Sequence, residues 1–437
     1  MTVLTIKQAM EKGDGQVAIR GWVYRERGSK NVRFLIIRDS SGIVQCVIGK
    51  ENPHFAEAET LQVEASVEVE GTIKKDDRAP SGYEVQVTTL KVVGLSDTFP
   101  ISRDQSPELL LDNRHLWLRS RKLTSVMKIR HTVLGAIHEF FRGRGFYEFT
   151  PPIFTPNACE GSMTLFKVKY FDQELYLTQS WQLYAEAGIF ALERIYDVSP
   201  TFRAEKSKTS RHLAEFWMAE MEAAWMTLED VVQIAKEEIA FIIKKVLAEN
   251  AEELKILERD ADKLKAIVEK PFPTITYTEA LKVLKEKAGM DVPWGKDLRT
   301  VEEEKLMEHF DTPVAVVEYP KDAMAFYKME KKIRPGVEKD DAPGPVALCF
   351  DILVPEGYGE IVGGSQRDTD IEALRKGLEK EGENIDNYAW YLDLRKYGSV
   401  PHAGYGLGVE RVITWICGLD NIKDTIPFPR TMRRMTP

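Results

Sequence analysis

Between residues 16 and 94, apolar and polar positions alternate with period two, or form short apolar runs, in five places: QVAIRGWV, RFLIIRD, IVQCVIG, ASVEVEGTI and YEVQVTTLKVVG. Each run predicts a strand with one face on a core and the other in water. Ser40, Ser41 and Gly42 supply a turn between the second and third runs, and PHFAEAETLQ predicts a helix between the third and fourth. From 95 to 123 the pattern dissolves among Pro, Asp and Arg, which predicts a hinge. Helical spacing then takes over from about Ser125 to Arg142 and stops at Gly143 and Gly145. Phe146 to Phe154 runs extended through Pro151-Pro152. Residues 228–290 read as charged helices of a surface insertion, and KKIRPGVEKDDAPGP as an exposed loop.

The N-terminal order of five strands, with one helix after the third, is that of an OB-fold, a barrel that binds oligonucleotides on one face. A small barrel without a ligand has the same pattern. A chain of 437 residues has room for two or three domains. No apolar stretch approaches a membrane span, and MTVLTIKQAMEKGDG lacks the apolar run of a signal peptide, so no membrane partner is expected. Cys46, Cys159, Cys349 and Cys417 are far apart, which points to a reducing cytoplasm rather than a disulfide framework. The net charge of −9 argues against non-specific nucleic-acid binding, and no DNA partner is expected. Basic clusters remain around Arg25, Arg27, Lys30 and Arg33, and around Arg430, Arg433 and Arg434; both also suit a solvated face.

Two segments carry candidate chemistry. In FRAEKSKTSRHLAEFWMAEMEAAW, an arginine opens a polar loop between two apolar runs, a geometry that can hold a phosphate bidentately. In GYGLGVERVITWI, a Gly-rich turn enters a helix bearing Glu410-Arg411, another natural anion site. Charged hairpin loops and Gly-rich helix starts are common, so neither decides anything alone.

Together with GFYEFTPPIF after the long helix, these segments resemble motifs 1, 2 and 3 of class II aminoacyl-tRNA synthetases, in the aspartyl/asparaginyl/lysyl subgroup. The resemblance covers nearly the whole chain and is greatest to archaeal-type asparaginyl enzymes. It implies an α+β fold: an OB-fold anticodon-binding domain (1–96), a hinge (97–123) and a catalytic domain (124–437). The catalytic domain would be an antiparallel sheet flanked by helices, with a mainly helical insertion at about 228–345. Motif 1, with Pro152, would build a homodimer.

The same resemblance implies the chemistry. ATP activates an amino acid as its adenylate, and tRNA takes up the aminoacyl group. The substrates supply the nucleophiles, so the protein's task is positioning and charge stabilisation. Arg203 would hold the α-phosphate, and Arg211, His212 and Arg411 the β- and γ-phosphates. Phe216 would stack on adenine, with Glu205 close to the ATP and the tRNA end. Asp351 and Glu360 match an acidic pair that carries Mg²⁺, an ion satisfied by few carboxylates plus phosphate oxygens. Glu160, Ser180, Gln182, Glu220 and Arg367 would hold the amino acid, and Arg25, Phe34 and Gln45 the anticodon. Trp181 stands where the subgroup has a small residue or proline.

Within the subgroup, the residues favour asparagine and tRNA(Asn). Aspartyl enzymes carry a lysine at the position of Ala185 that pairs the substrate carboxylate; Glu220 fits the glutamate that asparaginyl enzymes place near the amide. The alternatives are an aspartate–tRNA ligase, discriminating or not, a synthetase-like asparagine synthetase, and a non-enzymatic RNA-binding module. The complete set Arg203, Arg411, Asp351 and Glu360 argues against the RNA-binding module, and the N-terminal barrel against the asparagine synthetase.

Overall fold

The computed structural model describes residues 2–102, 105–206, 210–332 and 341–437. The backbone divides into two compact units, Met1–Leu110 and Leu111–Pro437.

The first unit runs β1 (Val3–Leu4), α1 (Ile6–Lys12), β2 (Gly15–Gly28), β3 (Val32–Arg38), β4 (Ile43–Gly49), α2 (Phe55–Thr60), β5 (Ser66–Lys75) and β6 (Tyr83–Gly94). The sheet order is β1-β2-β3-β4-β6-β5, and β5 pairs back onto β2, closing a barrel. Val17, Ile19, Val23, Leu35, Ile37, Val44, Cys46 and Ile48 fill it, in agreement with the period-two reading. The five predicted strands and the helix α2 form as expected, so this unit is an OB-fold. The N-terminal helix α1 was not expected; Thr5 and Gln8 cap it reciprocally.

The second unit begins near α3 (Pro107–Asp112), followed by α4 (Arg114–Trp117), α5 (Arg121–Gly143), β7 (Tyr147–Glu148), β8 (Phe154–Thr155), β9 (Lys167–Tyr170), β10 (Gln173–Leu177), α6 (Gln182–Leu192), β11 (Arg194–Phe202) and β12 (Glu215–Ala224). Then come α7 (Leu228–Glu249), α8 (Ala251–Ile256), α9 (Ala261–Val268), β13 (Thr274–Thr276), α10 (Tyr277–Ala288), α11 (Thr300–Met307) and β14 (Val314–Val317). The remainder is β15 (Cys349–Val354), β16 (Gly359–Gln366), α12 (Ile371–Glu381), α13 (Ala389–Asp393), β17 (His402–Gly408) and α14 (Val409–Cys417). Eight strands form one sheet in the order β13-β14-β15-β16-β17-β12-β11-β7. Its pairings from β14 to β11 are antiparallel; the two outermost pairings are parallel. Apolar faces of α5, α7 and α14 share one core with this sheet.

Two expectations need correction. The stretch read as a hinge contains α3, α4 and the first turn of α5, which Ser120 caps through the Leu123 N–H. Buried Arg114 anchors it by donating to the carbonyls of Lys423, Ile426 and Pro427. That support comes from the far end of the sequence, so no local pattern reveals it. Nor is the region after residue 228 a surface insertion: Val231, Ala235, Ile239, Ile242 and Val246 of α7 lie in the main core, and β13 and β14 extend the sheet. Most charges of α7 occupy its outer face, whereas Glu238 is buried and accepts from Tyr405 Oη at 2.6 Å. Of the predicted exposed loop, residues 333–340 lie outside the described residues.

Candidate active site

A cavity of about 300 Å³ opens on the sheet where β12, β16 and β17 lie side by side. Glycines make its floor. A Cβ at Gly404 would stand 2.1 Å from a Glu222 carboxylate oxygen, and one at Gly406 would stand 2.5 Å from the Met218 methyl. The Met218 methyl could swing away, but at Gly404 the Met221 carbonyl oxygen would also stand 2.3 Å from a Cβ, so bare backbone at that point of β17 is what leaves room for Glu222 of β12.

One end of the cavity is rich in arginine. Arg203 leaves β11 at the start of the hairpin loop and sits with its guanidinium carbon 5.6 Å from the half-buried Phe216 ring on β12. His212 Nε2 lies 3.5 Å from a Glu205 oxygen, and burial lowers its basicity. Arg211 reaches Glu304 on α11 and the Gly357 carbonyl. Arg411, in the first turn of α14, donates to the Glu360 carboxylate at 2.9 Å and to its carbonyl at 3.1 Å. Against the cost of burial, that guanidinium holds Glu360 below its ordinary range. Asp351 shows the reverse: burial, then the facing Glu360, pushes its carboxyl well above the usual carboxylate range.

The two acidic side chains converge over Gly363, where a Cβ would lie 3.1 Å from Glu360 Oε1 and 3.4 Å from Asp351 Oδ1. Hard oxygen donors with like-charge repulsion between them fit a divalent cation that also takes ligand oxygens. Among the described residues, no group of three or more His, Cys, Asp or Glu forms a metal cage.

The other end is built from buried pairs. Arg367 forks onto Glu222 at 2.8–3.2 Å and donates to Ser365 Oγ at 2.7 Å. Glu220 accepts from Ser180 Oγ at 2.6 Å and from the Trp181 N–H at 2.9 Å, yet burial pushes its carboxyl up to about 7. Gln182 donates to Glu186 at 3.0 Å, and Arg395, Tyr391 and His402 hold that glutamate from behind. Glu160 accepts from Tyr327 Oη at 2.7 Å. Its loop is clamped by Gln179, whose amide oxygen takes the Cys159 and Glu160 N–H groups while its nitrogen donates to Gly161 O and Thr164 Oγ1.

Residues 106–432 match the family model of tRNA synthetases class II (D, K and N), and residues 17–93 match an OB-fold nucleic acid binding domain. The chain belongs to the class II tRNA synthetases. The asparagine–tRNA ligase of Thermoplasma acidophilum is 46% identical over 425 residues, covering 97% of this chain and 96% of the relative. Among solved structures, asparaginyl-tRNA synthetase from Pyrococcus horikoshii complexed with asparaginyl-adenylate is 44% identical, with a TM-score of 0.93 and full coverage of both chains. The Entamoeba histolytica asparaginyl-tRNA synthetase in complex with asparaginyl-adenylate is 31% identical, with a TM-score of 0.86 over 97% of each chain.

All thirteen residues singled out in this synthetase's catalytic domain line the one cavity: Glu160, Ser180, Gln182, Arg203, Glu205, Arg211, His212, Phe216, Glu220, Asp351, Glu360, Arg367 and Arg411. Sequence reasoning missed Gln179, Glu186, Glu222, Asp297, Tyr327 and Lys328. Gln179 and Glu222 sit beside chosen residues and were within reach; the others depend on tertiary contact. Ala185 faces the apolar cluster of Trp181, Ile189, Ile195 and Ala224 instead of the cavity wall. The large indole and the small methyl share that space, which explains how Trp181 is accommodated. On the barrel, Phe34 and Gln45 lie on the same face, diagonal across β3 and β4. Arg25 stands over Tyr24, whereas Arg27 contacts both, 5.2 Å from the Phe34 ring centroid and 3.0 Å from Gln45 Oε1.

Proposed function

We propose that the protein is an asparagine–tRNA ligase that forms asparaginyl-adenylate from asparagine and ATP, then transfers the aminoacyl group to tRNA(Asn). The observation that carries the choice of amino acid is Glu220, a buried carboxylate facing the same cavity as an Arg367 already neutralised by Glu222. Arg367 keeps N–H groups for an amide oxygen, and each Glu220 oxygen keeps a lone pair for an amide NH₂. A substrate carboxylate in that place meets Glu220 repulsion and no net cation. A buried polar mismatch of this kind can discriminate by a factor of roughly 10⁴–10⁵.

In this reading Glu160, oriented by Tyr327, takes the substrate ammonium, while Ser180 and Gln182 line its surroundings. Arg203 holds the α-phosphate where charge gathers as the carboxylate oxygen attacks phosphorus and pyrophosphate departs. Arg211, His212 and Arg411 orient the departing phosphates, Phe216 supports the adenine, and Glu205 lies toward the acceptor end of the tRNA. Asp351 and Glu360 would hold Mg²⁺, which when bound neutralises phosphate oxygens. The barrel would read single-stranded anticodon bases by stacking on Phe34 and by edge hydrogen bonds from Gln45, Arg25 and Arg27. We further propose a two-fold homodimer around motif 1 and Pro152, working in the cytoplasm; among the described residues no helix is long and apolar enough to cross a membrane. Exposed Tyr147 and Trp225 support an apolar contact surface. A monomeric mass at micromolar concentration would count against the dimer.

Pyrophosphate exchange with asparagine and aspartate side by side, without and with tRNA, tests the assignment. Exchange with asparagine and little with aspartate is expected; comparable activation of both would overturn it.

A further inference from the structure

Glu186 lies one turn beyond Gln182 on α6, buried behind the cavity wall, and four side chains aim donors at it. Gln182 Nε2 donates to its Oε1 at 3.0 Å, and Tyr391 Oη lies 3.0 Å from Oε1 and 2.9 Å from Oε2. His402 Nε2 stands 3.0 Å from Oε2, and Arg395 Nη2 donates to that same oxygen. Tyr391 belongs to α13, Arg395 follows that helix and His402 opens β17, so parts of the chain distant in sequence fix one carboxylate. Against the cost of burial, Arg395 and then His402 hold the Glu186 carboxyl well below the usual carboxylate range. An ionised carboxylate only accepts.

Its partner Gln182 is thereby oriented. The NH₂ of the Gln182 amide has to meet Glu186, so Oε1 turns the other way, toward the loop that carries Glu160, where the Cys159 thiol approaches it at 4.0 Å. An unrestrained glutamine can turn over and offer either a donor or an acceptor from the same place. Gln182 lines the cavity with its oxygen committed as an acceptor. An ammonium has three N–H groups to place and no acceptor of its own. Glu160 offers it one carboxylate, already engaged at one oxygen by Tyr327 Oη. A second acceptor at Gln182 adds to that, whereas an NH₂ turned to the same place would repel the charge.

We propose that Glu186 is a positioning residue that locks the Gln182 amide so that its oxygen, and not its NH₂, meets the α-ammonium of the substrate amino acid. The inference rests on the reading of this end of the cavity as the amino-acid site. Its consequence is that Tyr391, Arg395 and His402 serve amino-acid recognition without lining the cavity, through the one carboxylate they hold in place.

Pyrophosphate exchange by the full chain tests this, comparing KM for asparagine with the inhibition constant of succinamate, the same molecule without its α-amino group. In Glu186→Gln the new amide can donate to Gln182 and let it turn over. KM for asparagine should then rise about 10–100-fold, while kcat, KM for ATP and the succinamate constant change little. Glu186→Asp, which keeps the charge for Arg395 and His402 but draws the carboxylate back from Gln182, should show the same selective loss and serves should the first variant not fold. Gln182→Met should lose asparagine selectively too, and adding Glu186→Gln to it should cost no further asparagine affinity. An unchanged KM in the folded Glu186 variants would overturn the proposal, as would equal losses for asparagine and succinamate or additive losses in the double variant. If no Glu186 variant folds, Gln182→Met decides by the same comparison. A parent that shows no exchange with asparagine would instead remove the amino-acid reading of the cavity, and the proposal with it.

Discussion

Arg367 and Glu222 form a buried fork, with Nη2 2.8 Å from Oε2 and Nε 3.0 Å from Oε1, so the cavity receives a guanidinium whose charge is already matched. Burial pushes the Glu222 carboxyl up, against the opposing pull of the Arg367 guanidinium. Glu222→Gln should leave Arg367 a net cation and shift preference toward aspartate by about tenfold or more, a change of about 1.4 kcal/mol. Breaking the buried pair should also lower stability by about 3–5 kcal/mol. Pyrophosphate exchange with each amino acid and a thermal melt read the two effects separately.

Glu220 titrates at about 7, so amino-acid selectivity should depend on pH. Above that value the carboxylate repels a second carboxylate; below it the protonated acid does not. The asparagine-to-aspartate ratio of kcat/KM should therefore rise from pH about 6 to about 8, and the rise should vanish in Glu220→Gln. The stability effect has the opposite sign. A folded carboxyl raised above an unfolded value near 4.3 retains a proton that the unfolded chain has lost, so this group's contribution to stability falls as pH rises through that interval. Asp197, paired with Glu220 across β11 and β12 and pushed up to about 6, titrates nearby; the Glu220 variant separates the two.

Arg203→Ala and Arg411→Ala should each reduce adenylate formation about 10²–10³-fold while the fold persists, because each removes a donor aimed at developing phosphate charge. Loss of Arg411 also leaves Glu360 without its cation, which should make this variant the more demanding of divalent ions. Near-normal pyrophosphate exchange by either variant would refute the phosphate assignment.

Phe34→Ala and Gln45→Ala should weaken tRNA charging, with about 1–3 kcal/mol lost for the stacking residue, and spare tRNA-independent pyrophosphate exchange. Arg27→Ala should resemble Gln45→Ala more closely than Arg25→Ala does, since Arg27 donates to Gln45. Equal damage to both assays would make these residues structural.

The barrel was legible because its strands alternate locally and close on neighbours near in sequence. The arginines of the two polar segments were legible because each is framed by its own short motif. Glu222 and Arg367 lie 145 residues apart, and Tyr327 and Glu160 lie 167 apart; in these pairs the partner's identity is fixed only by the tertiary fold. The helices α3 and α4 were lost for the same reason, since Arg114 finds Asp424 and neighbouring carbonyls 310 residues away or nearly so. Strand β14 was hidden in a region whose overall composition is that of charged helices, although VAVV is fully buried.

β17 is the last strand in chain order and yet lies in the middle of the sheet, between β16 and β12. While the ribosome is making this protein, β12 and β16 therefore wait as two open edges with nothing between them. Neither half can hold an adenylate, since Gly404, Gly406, Arg411 and the gap that admits Glu222 all arrive together with β17 and α14, after every other strand of the sheet. Exposed edges of this kind invite pairing with other chains. A chain released early should thus be a target for chaperones and proteases rather than a partly active enzyme, and synthesis of the active site becomes an all-or-none event.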